Sequence, residues 1–174
     1  MNQDEQRARL EDLYAAHAAS VRGYLRRRTD SATTDDLLSD VFVVAWRRLE
    51  QIPPDALPWL LACARNLLAN SVRSERRRTA LIGLLRDNAP PATLPIEEPK
   101  TRLAEAFATL RSHDREALLL VAWEGLSSDE AAAVVGCSRR TFARRLQRAR
   151  NRLAAALRSA GPTNTNPLME ACND

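Results

Sequence analysis

Prolines divide this 174-residue sequence into two parts. Four of its nine prolines lie within residues 79–101 and interrupt the helical patterns on either side. Because proline lacks a backbone N–H and its ring clashes with the preceding turn, no regular helix can cross this stretch. We therefore predict an N-terminal unit over residues 5–78, a linker over 79–101 that can begin with a short helix, and a C-terminal unit over 102–160. We predict that the polar residues 161–174 form a disordered tail.

The composition favours helices in both units. Alanine and arginine are abundant, whereas glycine, β-branched and aromatic residues are few. A helical unit of about 50 to 80 residues can bury a workable core. The fold class that we predict is therefore all-α, with two small helical domains joined by a flexible linker.

Arginine supplies nearly all of the positive charge. The net charge is +4, the isoelectric point is about 9.5, and Lys100 is the only lysine. The planar guanidinium donates to phosphates and base edges in a fixed geometry, so this composition permits nucleic-acid binding. A GC-rich genome would produce the same bias toward arginine and alanine, so composition alone does not identify the partner.

Cysteine spacing and hydropathy argue against several other classes of protein. Cys63, Cys137 and Cys172 are odd in number and far apart, without a CxxC pair or a histidine at ligand spacing. We therefore expect no disulfide framework, no metal site and no cofactor. The sequence has no apolar run long enough for a membrane span, and its polar N-terminus does not resemble a signal peptide, so we expect a cytoplasmic protein.

The second predicted helix of the N-terminal unit is unusually apolar. A first helix over residues 10–28 precedes it, and Thr34 is its predicted N-cap. Over residues 35–52, apolar side chains occupy more than one stripe of the helix. Such a helix is either buried on several sides or keeps one face for a partner.

The third predicted helix, residues 59–78, has two different faces. Its apolar stripe consists of Leu60, Leu61, Ala64, Leu67, Leu68 and Val72. The opposite stripe consists of Trp59, Cys63, Asn66, Asn70 and Arg73. An aromatic ring, two amides and a guanidinium on one face can stack on an unpaired base, hydrogen-bond its edge and hold a phosphate. The alternative is that Trp59 packs in the core and the asparagines are solvated.

The C-terminal unit contains the pattern of a helix-turn-helix. Ser127 and Glu130 form a predicted capping box, Gly136 ends the short helix, and Ser138 is the predicted N-cap of the helix that follows. A short helix, a tight turn with glycine and a longer helix are typical of this motif. Helical hairpins without a DNA role share the same spacing.

The last predicted helix separates its apolar and basic residues. Its narrow apolar stripe consists of Phe142, Leu146, Ala149, Leu153, Ala156 and Leu157. On the opposite side lie Arg140, Arg144, Arg148 and Asn151, flanked by Arg145 and Arg152. A solvated face normally mixes glutamate with arginine to offset repulsion, whereas residues 136–153 contain no acid. This pattern favours an anionic partner, and the N-terminal half of such a helix is the part that enters the DNA major groove.

Together these stretches resemble the extracytoplasmic-function (ECF) sigma factors, the small two-domain sigma subunits of bacterial RNA polymerase. The resemblance lies in DDLLSDVFVVAWRRL, PWLLACARNLLANSVRSERRR and HDREALLLVAWEGLSSDEAAAVVGCSRRTFARRLQRARNRL, in that order and spacing. It implies a sigma region 2 domain, then a linker that lies between the two DNA contacts, then a sigma region 4 domain. The partners it implies are core RNA polymerase, through the β′ clamp helices and the β flap, promoter DNA, and an anti-sigma factor.

The resemblance also assigns residues to three binding sites. Core polymerase would contact Asp36, Leu37, Asp40, Val41, Phe42 and Trp46. The −10 promoter element, captured as single strands, would contact Gln51, Pro54, Asp55, Trp59, Asn66, Asn70, Arg73, Arg76 and Arg77. The duplex −35 element would contact Arg139, Arg140, Thr141, Ala143, Arg144, Arg145 and Arg148. No catalytic or metal-binding residue is implied, so we expect a polymerase subunit and not an enzyme.

The sequence departs from the family pattern in three places. The loop that contains residues 51–56 is shorter and richer in proline than is usual in the family, which affects how a flipped −10 base would be held. Ala143 stands where relatives often have a polar residue, so −35 recognition would depend more on Arg144 and Arg148. The tail after Ala160 has no counterpart that we can assign.

Two other functions fit parts of the sequence. A dimeric helix-turn-helix regulator is the first, but a protein that binds only duplex DNA needs neither the Trp59 face nor the apolar second helix. A nucleic-acid enzyme is the second, because Asp35, Asp36 and Asp40 could support metal-assisted chemistry. These carboxylates lie on one helix and do not converge with a histidine, a lysine or a second acidic motif.

Overall fold

A computed structural model describes the backbone of residues 2–85 and 102–159, and the side chains of residues 2–77 and 102–159. Within these ranges the chain forms seven α-helices and one 3-10 turn, Leu49–Gln51. The helices are α1 (Gln3–Arg26), α2 (Ser31–Arg47), α3 (Ala56–Leu85), α4 (Arg102–Ala108), α5 (Ser112–Ala122), α6 (Ser128–Val135) and α7 (Arg139–Ser159). The all-α prediction is confirmed.

Helices α1, α2 and α3 pack against one another and form the N-terminal unit. Side chains that solvent does not reach form its centre: Val21, Tyr24, Leu25, Val41, Leu60 and Leu61. Burying one such side chain contributes about 1.5–3 kcal/mol to folding, so packing stabilises these helices more than their intrinsic propensity does.

Helix α2 begins earlier than the sequence predicted. Its N-cap is Asp30, whose carboxylate accepts hydrogen bonds from the Thr33 N–H at 2.9 Å and the Thr33 hydroxyl at 2.8 Å. These bonds lower the pKa of Asp30. Thr34 is buried in the first turn, and its hydroxyl donates to the Asp30 carbonyl at 2.8 Å. The prediction of Thr34 as the N-cap is wrong, because the carboxylate of Asp30 caps the helix four residues earlier.

Helix α3 is longer than predicted at both ends. It begins at Ala56 and continues to Leu85, so residues 79–85 of the predicted linker are helical. Val72, predicted to lie in the apolar stripe, is 43% exposed, because the core covers only the N-terminal half of this helix. The remainder of the predicted linker, residues 86–101, and the predicted tail lie outside the described residues.

The C-terminal unit contains α4 to α7, and α7 contacts each of the other three helices. The predicted capping box is present: the Ser127 N–H donates to the Glu130 carboxylate at 2.6 Å, and the Glu130 N–H donates to the Ser127 hydroxyl at 3.3 Å. Gly136 ends α6 with φ +70°, a conformation that favours glycine. The Ser138 hydroxyl accepts from the Thr141 N–H at 3.2 Å at the start of α7. These contacts form the predicted helix-turn-helix.

The two units pack against each other through α3 and α6. Their buried side chains form one continuous apolar cluster that extends from Val21 in α1 to Ala149 in α7. Hydrophobic periodicity indicates that a stripe is buried but not what covers it, so the sequence did not reveal this contact. None of the helices in the described ranges combines the length and apolarity needed to cross a membrane.

Candidate functional site

Helix α7 presents the basic face that the sequence predicted. Phe142 and Ala149 are fully buried against the rest of the C-terminal unit. Arg140, Arg144 and Arg148 are exposed on the opposite side. The buried stripe therefore fixes the orientation of the helix, and three guanidinium groups are left free of the core, where they can bind phosphates or base edges.

A shallow groove, open to solvent, lies between side chains on this face of α7. It is lined by Thr141, Arg144, Gln147 and Arg148. The Gln147 side-chain N–H donates to Asn151 Oδ1 at 3.1 Å, so two amides lie side by side. Gln147 was not among the predicted −35 contacts. Its angular position, about 60° from Arg144 on the helix, was the signal that could have identified it.

Two arginines at the edges of this face have partners within the C-terminal unit. Arg152 donates to the buried carboxylate of Asp114 on α5, and His113 Nε2 lies 3.3 Å from the same carboxylate. Arg139 Nε lies 3.3 Å from Asp129 Oδ1 at the start of α6. The basic face is therefore narrower than the sequence predicted, and Arg152 belongs to the internal structure of the unit.

Helix α2 has an exposed face that is acidic at one end and apolar at the other. Asp36 and Asp40 are exposed near its start. Val43 and Trp46, farther along the same side, are 45% and 40% exposed. At about 100° per residue these four side chains fall within about 120° of the helix surface. Adjacent exposed apolar side chains next to charges are typical of a protein-binding surface.

The other predicted polymerase contacts lie inside the N-terminal unit. Leu37, Val41 and Phe42 are buried. Phe42 also contacts Tyr14 of α1, with ring centroids 4.7 Å apart. These three side chains hold α2 against the unit and leave little surface for a partner. Val43, which was not among the predicted polymerase contacts, is exposed instead.

The loop between α2 and α3 is anchored to the N-terminal unit at one point. Ile52 is buried, and its carbonyl accepts a hydrogen bond from Arg9 Nη2 of α1 at 3.1 Å. The exposed loop residues are Gln51, Pro53, Pro54 and Asp55. The neighbouring carboxyl group of Glu130 on α6 raises the pKa of Asp55, because a hydrogen bond between the two acids favours the protonated form of Asp55. This loop therefore lies close to the C-terminal unit.

The predicted base-reading face of α3 is divided along the helix. Trp59 and Cys63 are half-buried and pack against the apolar cluster, and burial raises the pKa of the Cys63 thiol. Asn66, Asn70 and Arg73 are exposed, and Arg73 Nη2 donates to Asn70 Oδ1 at 2.8 Å. The remaining predicted contacts on this helix, Arg76 and Arg77, are exposed as well. The two amides and the arginines therefore form one accessible row, whereas the indole and the thiol largely belong to the packing.

The aspartates at the start of α2 include one with a cationic partner. Asp35 Oδ1 lies 3.2 Å from Arg22 Nη2 of α1. Within residues 2–77 and 102–159, no group of three or more His, Cys, Asp and Glu side chains is arranged to hold a metal ion.

Models of known families match both units. Residues 13–78 match the model described as Sigma-70 region 2, and residues 100–153 match the model described as Sigma-70, region 4. The first match covers most of α1 to α3 up to residue 78, and the second covers the helix-turn-helix with the basic half of α7.

Curated relatives extend the similarity over most of the chain. The ECF RNA polymerase sigma factor EcfG of Rhodopseudomonas palustris is 30% identical over 91% of this chain and 90% of its own length. The probable RNA polymerase sigma factor RfaY of Xanthomonas campestris is 36% identical over 70% of this chain, and this match spans only 33% of that relative.

A solved structure supports the same assignment. The structure of CnrH in complex with the cytosolic domain of CnrY superposes with a TM-score of 0.59 at 26% identity, and the match covers 86% of this chain and 88% of that one. CnrH is an RNA polymerase sigma factor of Cupriavidus metallidurans. These matches confirm the resemblance that the sequence motifs indicated, and they show that this chain belongs to the ECF family of RNA polymerase sigma factors.

Proposed function

We propose that this sigma factor reads the two promoter elements with two different helices, the duplex −35 element with α7 and the single-stranded −10 element with α3. The observation that carries the proposal is the exposed row of Arg140, Arg144 and Arg148, which stands opposite a fully buried stripe in a helix-turn-helix. Guanidinium groups held in a row on one helix repel one another, and a bound anion relieves this repulsion. The phosphates of duplex DNA supply such an anion.

On α7, different side chains would have different tasks. Arg144 and Arg148 line the groove and can each donate two hydrogen bonds to guanine. Gln147 offers an amide that matches adenine, and the exposed methyl group of Ala143 can contact a thymine methyl. Arg140, at the N-terminal end of the exposed row, and Arg145, beside the row, suit phosphate contacts that fix the register of the helix. Arg139 would join them by exchanging its contact with Asp129 for a phosphate.

On α3, we assign the −10 element to the exposed row of Asn66, Asn70 and Arg73. Their amides can hydrogen-bond the edges of unpaired bases, and Arg73 with the arginines that follow can hold the strand by its phosphates. The packing of Trp59 against the apolar cluster leaves only part of its ring for stacking. The loop residues Gln51, Pro54 and Asp55 would then line the site that holds a flipped base.

Core polymerase would bind the exposed face of α2. Asp36 and Asp40 suit a basic surface, and Val43 with Trp46 suits an apolar one, which is the combination we expect for the β′ clamp helices. The C-terminal unit would contact the β flap. The chain would therefore act as a polymerase subunit and not as an enzyme, in the cytoplasm where polymerase and chromosome are found.

An anti-sigma factor is a further expected partner. The structure of the relative CnrH was solved in complex with the cytosolic domain of CnrY, and the match to CnrH covers 86% of this chain. By this similarity we propose that a protein of this kind can bind the chain and withhold it from polymerase.

Run-off transcription with purified core polymerase tests the proposed function. The full chain should co-elute with core polymerase and direct transcripts whose mapped starts share upstream elements. A helix-turn-helix regulator would instead footprint a promoter without polymerase and direct no transcript. That result would contradict the proposal.

The α2 face can be tested separately. Trp46→Ala should weaken binding to core polymerase by about 2 kcal/mol, because a half-exposed indole beside acids is typical of a binding hot spot. Leu103→Ala removes a similarly exposed apolar side chain from α4 and serves as the control. Phe42→Asp is a poor test, because Phe42 is buried and its loss would unfold the unit. Equal binding by the Trp46 and Leu103 variants would remove the assigned role of this face.

A further inference from the structure

Arg9 of α1 holds the loop between α2 and α3 by a long-range hydrogen bond. Its Nη2 donates to the Ile52 carbonyl at 3.1 Å, although the two residues are 43 positions apart in sequence. Arg9 is half-buried. Arg7, two residues earlier on the same helix, is 78% exposed, and its Nε lies 3.0 Å from Glu11 Oε1. Arg9 therefore lies on the side of α1 that faces the loop, whereas Arg7 lies on the side that faces solvent.

The Ile52 carbonyl cannot be paired by the residues that follow it directly. Both of them, Pro53 and Pro54, lack a backbone N–H. Ile52 itself is buried, and an unpaired carbonyl in a buried residue destabilises the fold. The Arg9 guanidinium supplies the missing donor, and its charge makes this hydrogen bond stronger than one from a neutral amide.

The segment that Arg9 holds is stiff. Ile52 has φ −74° and ψ 122°, the extended conformation that a following proline favours. Each proline ring fixes its own φ at about −65°. Leu49 and Ala56, on either side of the segment, are buried. Because the segment has little internal freedom, a hydrogen bond at its base sets the direction of its exposed end.

The exposed part of this loop carries residues assigned to the −10 element. Gln51 directly precedes Ile52, and Pro54 and Asp55 follow it within three positions. Groups that surround an unpaired base bind it more tightly when they are already in place, because ordering them on binding costs free energy. The position of the Ile52 carbonyl therefore affects all three assigned contacts.

Neither the sequence patterns nor the family match gives Arg9 a role. Arg9 precedes residues 13–78, the stretch that matches the Sigma-70 region 2 model. Its partner is a backbone carbonyl, so no complementary residue type in the sequence indicates the contact. The hydrogen bond follows only from the way α1 packs beside the loop.

We propose that Arg9 is a positioning residue for the −10 site. By anchoring the Ile52 carbonyl, it holds the loop in the conformation that receives a flipped base, and Arg9 itself does not contact DNA. The anchoring concerns the free chain alone, whereas its effect on base capture rests on the proposed function.

Hydrogen–deuterium exchange of the free full chain tests the anchor. Arg9→Ala should speed exchange of the backbone amides between residues 50 and 56 by at least about threefold, because the loop loses its restraint. Pro53→Ala should also speed it, since alanine frees φ without changing charge. Arg7→Ala removes the same charge from the same helix and is the control. Circular dichroism checks that the helices remain. Equal exchange in the Arg9 and Arg7 variants would overturn the anchor.

The effect on base capture is measured with holoenzyme formed from this chain and core polymerase. The probe is a single-stranded oligonucleotide with the −10 element found by mapping transcript starts, in which each base in turn is replaced by an abasic site. For the unaltered chain, loss of the flipped base should weaken binding by about tenfold. Arg9→Ala should bind the intact oligonucleotide about fivefold more weakly, and its abasic penalty at that position should shrink to about twofold. Pro53→Ala should reproduce both changes, and Arg7→Ala should show neither.

Salt dependence separates positioning from direct contact. A guanidinium that binds a single-strand phosphate adds about 0.7 to the slope of log affinity against log salt, so Arg9→Ala should keep the slope of the unaltered chain. A slope smaller by that amount would make Arg9 a phosphate contact and overturn the positioning role. So would an intact affinity and an intact abasic penalty in Arg9→Ala. If no abasic site weakens binding by the unaltered chain, the proposed function of the loop is contradicted, and faster exchange in Arg9→Ala would still support the anchor.

Discussion

Helices α7 and α3 are both long, and each was assigned one DNA-binding face, but the structure uses them differently. On α7 the buried stripe and the basic face lie on opposite sides, and the basic face is open to solvent along its length. On α3 the assigned face changes character along the helix, because the end with Trp59 packs and the end with Arg73 is exposed. Hydrophobic periodicity predicts the exposed side of a helix that packs on one unit only, such as α7. It does not predict the exposed side of a helix that packs between two units, such as α3.

The largest expected effect is a difference in the free energy of unfolding between substitutions on the buried and exposed sides of α7. Phe142→Ala should lower the free energy of unfolding by about 3–5 kcal/mol, because the ring is fully buried and its removal leaves a cavity. Urea denaturation of the full chain measures this change. Arg144→Ala, two residues along on the exposed face, is the control and should change stability by no more than about 0.5 kcal/mol. Similar destabilisation by both variants would contradict the division of α7 into two faces.

The next effect tests the exposed face of α7 directly. Arg144→Ala and Arg148→Ala should each weaken binding to the −35 duplex by about 1–3 kcal/mol and relax base preference at one position, if they read bases. Fluorescence anisotropy with the cognate duplex and single-base variants measures both. A loss of equal size for every sequence would show that the two arginines contact phosphates only.

A smaller effect tests the exposed row on α3. Asn66→Ala should reduce the yield of open complexes by about fivefold, or about 1 kcal/mol, because one amide loses its hydrogen bonds to an unpaired base. Binding to closed duplex should stay the same, and permanganate footprinting distinguishes the two states. Ala69→Ser, also exposed on α3, is a matched control outside the assigned row. An unchanged open-complex yield would remove Asn66 from the −10 site.

The smallest expected effect concerns the helix that faces α3. Ser127→Ala removes the N-cap of α6 and should lower the free energy of unfolding by about 1 kcal/mol. Ser112→Ala, at the first position of α5 and without a capping role, is the control. Thermal unfolding followed by circular dichroism compares them. Equal midpoints for the two variants would mean that the capping box contributes nothing to the stability of the helix-turn-helix.

Local features were the most predictable part of the fold. The capping box at Ser127, the left-handed glycine at Gly136 and the N-cap at Ser138 all depend on residues within a few positions of each other. The one failed cap, Thr34, shows the limit of such reasoning, since Asp30 and Thr34, four residues apart, both have side chains that can cap a helix, and it is the carboxylate of Asp30 that does so. The boundary of α3 was missed for a related reason, because no strong stop signal precedes Leu85.

The sequence predicted which side chains are exposed only where burial follows from a single helix. The basic side of α7 is of this kind, and Gln147 could have been added from its angle alone. On α2 the resemblance assigned Phe42 and Val41 to a partner, whereas both are buried and Val43 lies outside. An apolar helix covered by two neighbours has no single stripe, so the sequence could not tell which apolar residues remain exposed.

The sequence by itself determined the all-α class, the helix-turn-helix, the basic face of α7 and the membership of the ECF family, because each depends on local spacing or on motif order. Only the tertiary structure decided that Arg152 pairs with Asp114, that Trp59 packs, and that Glu116 and Glu124 join the two units. These contacts connect residues far apart in sequence. Packing and burial in three dimensions select their partners, and hydrophobic periodicity along one helix does not predict them.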